Sequence, residues 1–350
     1  MRTLVLASTW LMAATCGLAA DQLAWRGVWV WSLPMKTEAD LVAIADAAQA
    51  LGFNALLMAP PADQRAFMRE LCHQRGMTLY LSTVFAGGPK EARQVLLPEE
   101  EAALASPVAE EYMSGGEPVL PGEVMRGSLP CYARPEVRAQ FREMVQRNAA
   151  DPVDGLAFDY IGWQNYRRCY CPVCAEQFAA YRREHPGLSA GRAEEQWAEE
   201  VLVSFTNEMA AAARGVRSEI ALTIHIYPWF APNPYYGQRT DIDYVGQTVS
   251  WFFRPHWPLE TVQRRNDQIV ARQHERYRHH HAAPFIGFDP RKPRDFRSAA
   301  RVAAELRIIR DSGASGLQVA ELGYLLRKPS VAEAVAREIG GHPELVRLRR

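Results

Sequence analysis

The sequence predicts an α/β protein of the (β/α)8 TIM barrel class. Short apolar runs recur eight times along the chain, helical stretches lie between them, and the runs are largely apolar throughout rather than alternating. Such runs are typical of parallel strands covered on both faces, and their alternation with helices is the pattern of repeated βα units. Eight such units are the number that closes a barrel.

The predicted strands are each five or six residues long. They lie at 27–32, 54–58, 78–83, 155–159, 221–226, 248–253, 284–288 and 316–320. The predicted helices lie between them, at 38–51, 63–75, 135–149, a long stretch ending near 217, 258–277 and 296–312. We expect residues 21–350 to form a single barrel domain.

Two insertions interrupt this alternation. Between Val84 and Pro135 the chain is rich in Gly, Pro and Glu and far longer than an ordinary βα loop. Because it follows the third strand, this long β3-α3 loop would overhang the face that carries the active site in such barrels, as a wall or lid. The second insertion is a cysteine cluster directly after the fourth strand.

The cysteine cluster has the spacing of a metal site. Cys169, Cys171 and Cys174 form a Cys-x-Cys-x-x-Cys motif, which suits thiolates on one ion better than disulfides between near neighbours. Cys131, near the end of the long loop, is the natural fourth ligand, although a lone cysteine is more often a small buried side chain. Four thiolates leave no open position, so we expect a structural Zn²⁺ knuckle.

The N-terminus has the anatomy of a secretory signal peptide. Residues 1–20 combine a basic start at Arg2, an apolar stretch and small residues at the end. We expect cleavage near Asp21 and a secreted or periplasmic protein. We do not expect a lipoprotein anchor on Cys16, since Ala13, Ala14 and Thr15 match the usual Leu-led motif poorly.

Composition excludes some classes of partner. Lys plus Arg total 40 and Asp plus Glu total 40, so the chain lacks the positive charge that nucleic acid or an anionic membrane attracts. No later segment is long and apolar enough for a membrane span. The sequence does not indicate the oligomeric state.

Three acids at strand ends are the candidate catalytic residues. Asp159 follows the fourth strand, Asp289 the seventh and Glu321 the eighth. Glycoside hydrolysis needs two carboxyl groups across the scissile bond, one to protonate the leaving group and one to attack or to activate water. A strand-end acid can instead form a salt bridge or a helix N-cap, and Asp289, which precedes Pro290, suits a cap.

Aromatic residues near the same strand ends favour a carbohydrate substrate. Flat rings pack against the apolar faces of sugars, while polar side chains bind the hydroxyl groups. His225 ends the fifth strand and is either a polar contact or a structural hydrogen-bonding group. The candidate substrate-binding residues are Trp31, Tyr160, Trp163, His225, Tyr227, Trp229 and Trp251.

The central segment resembles a known group of barrel enzymes. Residues 128–178 contain SLPCYARPEVR, then DGLAFDYIGW, then CYCPVCAEQF. They resemble the hypothetical glycosyl hydrolase families of the (β/α)8 barrel glycosidase superfamily. The cysteine part is also similar to the zinc cluster of the family 42 β-galactosidases, which have one upstream cysteine and a Cys-x-Cys-x-x-Cys triplet after strand four.

The departures from family 42 affect the catalytic residues. Those enzymes have an Asn-Glu pair after strand four and a Glu after strand seven, whereas this chain has Asp159 and Asp289. Resemblance to α-glycosidase and fucosidase-like barrels implies an aspartate nucleophile on strand four. Asp159 would then be nucleophile or electrostatic stabiliser, with Glu321 or Asp289 as the acid/base.

The resulting prediction is a secreted glycoside hydrolase acting on an oligo- or polysaccharide. The alternative is a non-catalytic carbohydrate-binding protein on a degenerate glycosidase barrel. A metal-dependent hydrolase using acids and His225 is a third hypothesis, although the spacing of these residues matches no ligand motif.

Overall fold

The computed structural model describes residues 23–105, 129–165, 167–227, 235–250, 256–288 and 297–342. Within these ranges the chain forms one parallel sheet that closes on itself as a barrel. The strands are β1 (Trp25–Val30), β2 (Ala55–Met58), β3 (Thr78–Val84), β4 (Gly155–Asp159), β5 (Ala221–Ile226), β6 (Tyr244–Ser250), β7 (His281–Ala282), β8 (Phe285–Gly287) and β9 (Gly316–Ala320).

The strands follow one another around the barrel in chain order. β1 pairs with β2 and with β9, and the pairing of β5 with β6 completes the ring. The short strands β7 and β8 both pair with β6 and together occupy the seventh position of an eight-stranded barrel. The predicted (β/α)8 class is therefore confirmed.

Helices surround the barrel in the described part of the chain. They are α1 (Glu38–Leu51), α2 (Arg65–His73), α3 (Pro98–Ala105), α4 (Pro135–Ala150), α5 (Pro172–Glu184), α6 (Ala190–Val216), α7 (Leu259–Val270), α8 (Ala299–Asp311), α9 (Leu322–Leu326) and α10 (Pro329–Ile339). None of the helices in these ranges has the length and apolar character needed to cross a membrane.

Local sequence explains where several helices begin and end. Thr37 accepts a hydrogen bond from the backbone of Asp40, whose side chain accepts one in return, so α1 begins with a capping box. Gly52 ends α1 with φ of 92°, a conformation that favours glycine. Pro186 and Gly187 follow α5, and Ser189 caps α6. The predicted long helix ending near residue 217 is α6, which ends at Val216.

Two boundaries differ from the prediction. The sixth strand begins at Tyr244 rather than at residue 248, because polar Gln247 and Thr248 face a buried environment that periodicity alone does not reveal, and residues 251–253 of the predicted strand lie outside the described residues. Helix α7 ends at Val270 rather than near 277, and turns cover the following residues.

Alternation along each strand separates the apolar core into two layers. On β4, Leu156 and Phe158 pack between the sheet and the helices, whereas Ala157 points into the barrel. At the N-terminal end of the barrel, Trp25 stacks on Tyr244 with ring centroids 4.4 Å apart and meets Tyr80 edge-on. The barrel interior is thus filled by side chains and is not a pore.

The middle of the barrel interior is polar and fully hydrogen-bonded around Gln318. Its side-chain oxygen accepts the indole N–H of Trp29 at 3.0 Å, and its amide donates to Thr223 Oγ1 at 2.7 Å and to the Ile224 carbonyl. A Cβ on Gly246 would lie 2.3 Å from the Gln318 amide nitrogen, so β6 needs glycine at this level. This polar layer around Gln318 lies directly below the C-terminal mouth of the barrel.

Candidate functional site

Strand alternation brings Asp159 and His225 into the barrel interior at its C-terminal mouth. Asp159 lies two residues after the inward Ala157, and His225 two residues after Thr223, which bonds to Gln318. Both side chains are buried, and His225 Nδ1 lies 3.3 Å from Asp159 Oδ1. This is the face on which barrel enzymes carry their catalytic residues.

The backbone after Asp159 turns sharply to hold the carboxylate in place. Tyr160 has φ of 64°, uncommon for a residue with a side chain, and its N–H donates to Asp159 Oδ1 at 2.9 Å. The hydroxyl groups of Tyr132 and Tyr236 donate to the carbonyls of Tyr160 and Ile161 and so fix this turn from behind.

His225 is enclosed on both sides of its ring. It stacks on Phe285 with centroids 3.6 Å apart, and Tyr227 approaches within 4.1 Å. Its Nε2 lies 3.2 Å from Thr248 Oγ1. Burial lowers the pKa of His225, whereas the hydrogen bond and charge of Asp159 act in the opposite direction.

Two tyrosines complete the surroundings of Asp159. Tyr227 is buried next to the carboxylate, and its ring lies 5.4 Å from that of Tyr160. Burial raises the pKa of Tyr227 well above its ordinary value, and the charge of Asp159 adds to this effect. Tyr227 therefore stays protonated and serves as a hydrogen-bond donor. Tyr160 is partly exposed.

Glu321 does not occupy the position predicted for a catalytic acid. It is fully buried, and its carboxylate accepts hydrogen bonds from the backbone of Trp31 at 3.2 Å, the backbone of Ser32 and the Ser32 hydroxyl. It lies one residue beyond Ala320, the last inward position of β9. Its role in this structure is to hold the segment after β1 against β9, so the assignment as acid/base is corrected.

Trp31 follows β1 and contacts α9. Its indole is 45% exposed and donates to the Tyr324 hydroxyl at 3.4 Å, with the two rings edge-on. Arg327 lies over the Tyr324 ring and donates to Ser32. Trp31, Tyr324 and Tyr160 are thus aromatic groups near the strand ends that keep part of their surface exposed.

Trp163 was predicted to contact substrate, and this prediction is wrong. The side chain is fully buried, its indole donates to the Ala198 carbonyl at 2.9 Å, and its ring stacks on Trp197 of α6. Although Trp163 follows a strand end, the long helix α6 covers it. Asp289, Trp229 and Trp251 lie outside the described residues.

The four predicted cysteine ligands converge. The sulfur atoms of Cys131, Cys169, Cys171 and Cys174 all lie within 4.8 Å of one another, and all four side chains are buried. Cys131 Sγ is 3.7 Å from Cys171 Sγ and 3.3 Å from Cys174 Sγ. A zinc ion with about 2.3 Å bonds to four sulfurs gives sulfur separations of about 3.8 Å, so this set fits a tetrahedral metal.

The surroundings of the cluster favour negatively charged sulfur. The N–H groups of Val95 and Cys171 lie 3.2 and 3.4 Å from Cys169 Sγ. Hydrogen bonds from Cys131 and Cys174, with these N–H groups, hold the pKa of Cys169 far below its ordinary value, whereas hydrogen bonds within the cluster and burial raise the pKa of Cys131 and Cys174. Arg134 also bonds to Cys171 and places positive charge beside the thiolates. A tetrathiolate zinc site carries net negative charge, which these donors offset.

The cluster joins segments that are distant in the sequence. Cys131 precedes α4, Cys169 follows β4, and Cys171 and Cys174 lie at the start of α5. Arg93 forms an antiparallel bridge with Pro130, and Gln94 bonds to the backbone of Pro130, Gly162 and Gln164. A metal here would fasten the long loop beside the turn that carries Asp159.

Sequence reasoning missed Thr248, Phe285 and Tyr324. Thr248 was placed at the start of the sixth strand rather than near its end, which hid its proximity to His225. Phe285 lies in an apolar strand and has no polar group that would mark it as a site residue. Tyr324 lies three residues after Glu321, in a segment that has no strand pattern. A correct strand register would have identified the first two.

Solved structures with a similar fold are glycoside hydrolases. The glycoside hydrolase domain of PgaB (BpsB) from Bordetella bronchiseptica is 13% identical with a TM-score of 0.57, over 90% of this chain and 98% of that one. The GH42 β-galactosidase Gan42B from G. stearothermophilus is 10% identical with a TM-score of 0.58, over 93% of this chain and 57% of that one. The catalytic domain of β-amylase from Paenibacillus polymyxa is 11% identical with a TM-score of 0.53, over 92% and 98%.

These similarities concern the fold. The chain spans little more than half of the length of Gan42B, and the identities are low. No protein-family model matches the sequence, and no curated protein matches it either. The comparison nevertheless confirms the resemblance to barrel glycosidases at the level of the fold.

Proposed function

We propose that the protein is a secreted glycoside hydrolase that cleaves O-glycosidic bonds of an oligo- or polysaccharide. The observation that carries this proposal is a carboxylate, Asp159, held inside the C-terminal mouth of a barrel whose rim presents Trp31 and Tyr160. The aromatic rim suits the apolar faces of sugars, and the glycosidase fold of the structural neighbours supports the reaction class.

Hydrolysis by two carboxyl groups requires a partner for Asp159. Since Glu321 is buried against the segment after β1, Asp289 is the proposed partner on the grounds of sequence position. If the two carboxyl groups lie about 5 Å apart the reaction retains the anomeric configuration, whereas a separation of about 6.5 to 9.5 Å leaves room for water and inverts it.

The other elements of the proposal follow from the cysteine cluster and the N-terminus. A structural Zn²⁺ is proposed for the four cysteines because four buried thiolates give zinc a closed coordination shell. Residues 1–20 are proposed to direct export and to be removed, giving a secreted or periplasmic protein.

The test is a screen on aryl glycosides and polysaccharides with purified protein. Asp159→Asn is expected to reduce kcat by at least about a hundredfold, because it removes a group that transfers a proton or attacks the anomeric carbon. Asp289→Asn is expected to do the same. Asp311→Asn is the matched control, since Asp311 is exposed at the end of α8 and precedes β9 at the opposite face. Equal turnover by Asp159→Asn and wild type would contradict the proposal.

A carbohydrate-binding protein without activity is the second candidate. It is favoured by one observation: Asp159 is the one strand-end acid that the described residues place in the barrel mouth. This hypothesis predicts that calorimetry detects binding of a saccharide that the wild-type protein does not cleave, and that Asp289→Asn binds it as well as wild type does.

A further inference from the structure

A chain of hydrogen bonds runs from the backbone of β5 to Asp159. The Thr248 hydroxyl lies 2.9 Å from the Ile226 carbonyl and 3.2 Å from His225 Nε2, and His225 Nδ1 lies 3.3 Å from Asp159 Oδ1. Thr248, His225 and Asp159 are buried. With little water available, the direction of each hydrogen bond is set by the protein groups themselves.

The number of protons in this chain fixes its direction. A carbonyl oxygen only accepts, so in the short contact with Ile226 the Thr248 hydroxyl donates its single proton. Thr248 Oγ1 then has only lone pairs to offer His225, and the contact with Nε2 requires that Nε2 carry hydrogen. A neutral imidazole with hydrogen on Nε2 has an unprotonated Nδ1, and this nitrogen faces Asp159.

We propose that Thr248 holds His225 with its proton on Nε2, so that His225 Nδ1 and the Asp159 carboxyl group share one further proton. Asp159 is then a stored proton donor rather than a nucleophile, and His225 and Thr248 are positioning residues that act through it. This inference rests on the proposed function for its catalytic meaning, although the protonation itself does not depend on a substrate.

The groups around the pair are consistent with a shared proton. On the turn after β4 the neighbour is Tyr160, after β5 it is Tyr227, and Tyr132 and Tyr236 lie behind the turn. The Tyr160 N–H and the Tyr227 side chain hydrogen-bond to Asp159, and within the described residues no arginine or lysine bonds to it. Burial disfavours an imidazolium facing a carboxylate and favours the neutral pair, in agreement with the lowered pKa of His225.

In the proposed catalytic step Asp159 transfers its proton to the glycosidic oxygen as the bond from that oxygen to the anomeric carbon breaks, and becomes a carboxylate. In a retaining reaction the second carboxylate forms the glycosyl intermediate, and the water that opens it gives its hydroxyl group to the sugar and its remaining proton to Asp159. In an inverting reaction the second carboxylate takes that proton as it activates the water; solvent then takes the proton from the second carboxyl group and returns one to Asp159.

The direct test is NMR spectroscopy of ¹⁵N-histidine-labelled full-length protein at neutral pH. The His225 signals are assigned as those lost in His225→Gln. The expected result is protonated Nε2, with Nδ1 either unprotonated or sharing its proton with Asp159. A neutral ring protonated at Nδ1, with Nε2 unprotonated, would overturn the inference.

Two variants of Thr248 make the test specific. Valine has nearly the same shape as threonine, and Thr248→Val removes the hydroxyl oxygen that accepts the hydrogen bond from His225 Nε2. In this variant the ring proton of His225 is expected to move to Nδ1, which then donates a hydrogen bond to an ionised Asp159. Thr248→Ser keeps the hydroxyl and is expected to restore the wild-type signals. If Thr248→Val leaves the protonation of His225 unchanged in folded protein, Thr248 does not position it.

Activity gives a second readout if the screen yields a substrate. Because Thr248→Val loses the shared proton, the alkaline limb of its pH profile of kcat is expected to lie about one pH unit lower than in wild type. A shift of one pH unit corresponds to about the free energy of one buried hydrogen bond. Thr248→Ser is expected to return the limb to the wild-type position. If no saccharide is cleaved, the proposed function fails while the NMR result still decides the protonation of the pair.

Discussion

At the scale of single residues, Asp159 and Glu321 show how two carboxylates near the same barrel mouth differ in role. Asp159 is the last inward-facing residue of β4, and its Oδ1 lies 3.3 Å from Nδ1 of His225 on the neighbouring strand β5. Glu321 lies one position past the inward series of β9 and accepts hydrogen bonds from Trp31 and Ser32. Burial alone does not separate the two, because both are shielded. The partners of each carboxylate decide its role.

This difference predicts contrasting effects of two neutralising substitutions. Glu321→Gln weakens hydrogen bonds from three donors and is expected to lower the free energy of unfolding by about 1 to 3 kcal/mol, measured by urea denaturation. Its kcat per folded molecule is expected to stay within about threefold of wild type. Asp159→Asn is expected to show the opposite result, with a large loss of kcat and little change in the free energy of unfolding. A stable but inactive Glu321→Gln protein would return Glu321 to the catalytic residues.

Residue positions that depend on strand alternation could be predicted from the sequence. Asp159 and His225 fall at strand ends and were identified in that way. Trp163 and Glu321 could not be placed correctly, because their environments are made by α6 and by the segment after β1, which are remote in the sequence. Such tertiary contacts leave no local pattern in the chain.

At the scale of elements, the cysteine cluster fastens the start of α5 to the segment before α4. Backbone N–H groups directed at Cys169 and the adjacent Arg134 suit a charged tetrathiolate site. The cysteine spacing identified Cys169, Cys171 and Cys174, since a Cys-x-Cys-x-x-Cys turn restricts where its sulfur atoms can lie, and the position of Cys131 near the end of the long loop suggested it as the fourth ligand. The partners Val95 and Arg134 required the structure.

The cluster predicts one zinc per chain, measured by elemental analysis of purified protein. Cys171→Ser is expected to lower the zinc content to below about one tenth and to increase amide hydrogen exchange in residues 129–134 and 169–174, because an incomplete ligand set binds weakly. Cys72→Ala is the matched control, as Cys72 is also buried but lies in α2 away from the cluster. Equal zinc content in Cys171→Ser and wild type would contradict the assignment.

The segment that leads into β7 predicts a loss of stability in acid. His280 is buried, and burial together with the nearby His274, His279 and His281 lowers its pKa to about 4. The unfolded chain binds the proton near the ordinary value of about 6.5, so the fold favours neutral His280. Its contribution is complete above about pH 6.5 and is lost as the pH falls toward 4, by on the order of 2 to 3 kcal/mol.

The measurement is the free energy of unfolding in urea between pH 7 and 4.5, for wild type and His280→Gln. The variant has no group that titrates at this position, so its stability is expected to fall less over that range. His185→Gln is the control, since His185 lies at the end of α5 and bonds to the Tyr181 carbonyl. Parallel pH profiles for wild type and His280→Gln would exclude His280 as the cause.

At the scale of the whole molecule, closure of the barrel was the most predictable property. Repeated apolar runs and intervening helices indicate eight βα units, and the strands follow one another in chain order. The register of β6 was not predictable, because its inward-facing polar residue Thr248 finds its hydrogen-bond partners on another strand. The Thr248 hydroxyl lies 2.9 Å from the Ile226 carbonyl of β5. The polar centre of the barrel is therefore a property of the closed ring.

This polar centre leads to a prediction about the stability of the whole barrel. Trp29 of β1, Thr223 of β5 and Gln318 of β9 bond together across the interior, and Gly246 of β6 leaves the space for the Gln318 amide. Gly246→Ala places a methyl group against this amide and is expected to lower the free energy of unfolding by about 1 to 3 kcal/mol.

Urea denaturation with a double-variant cycle tests whether the effect comes from this contact. Gly246→Ala combined with Gln318→Ala is expected to cost less than the sum of the two single changes, since removing the amide makes room for the methyl group. Gly191→Ala is the control: Gly191 lies in α6, and a Cβ there meets nothing within 4 Å. Additive effects of Gly246→Ala and Gln318→Ala would show that the two residues do not interact, and that β6 and β9 are not coupled through the polar centre of the barrel.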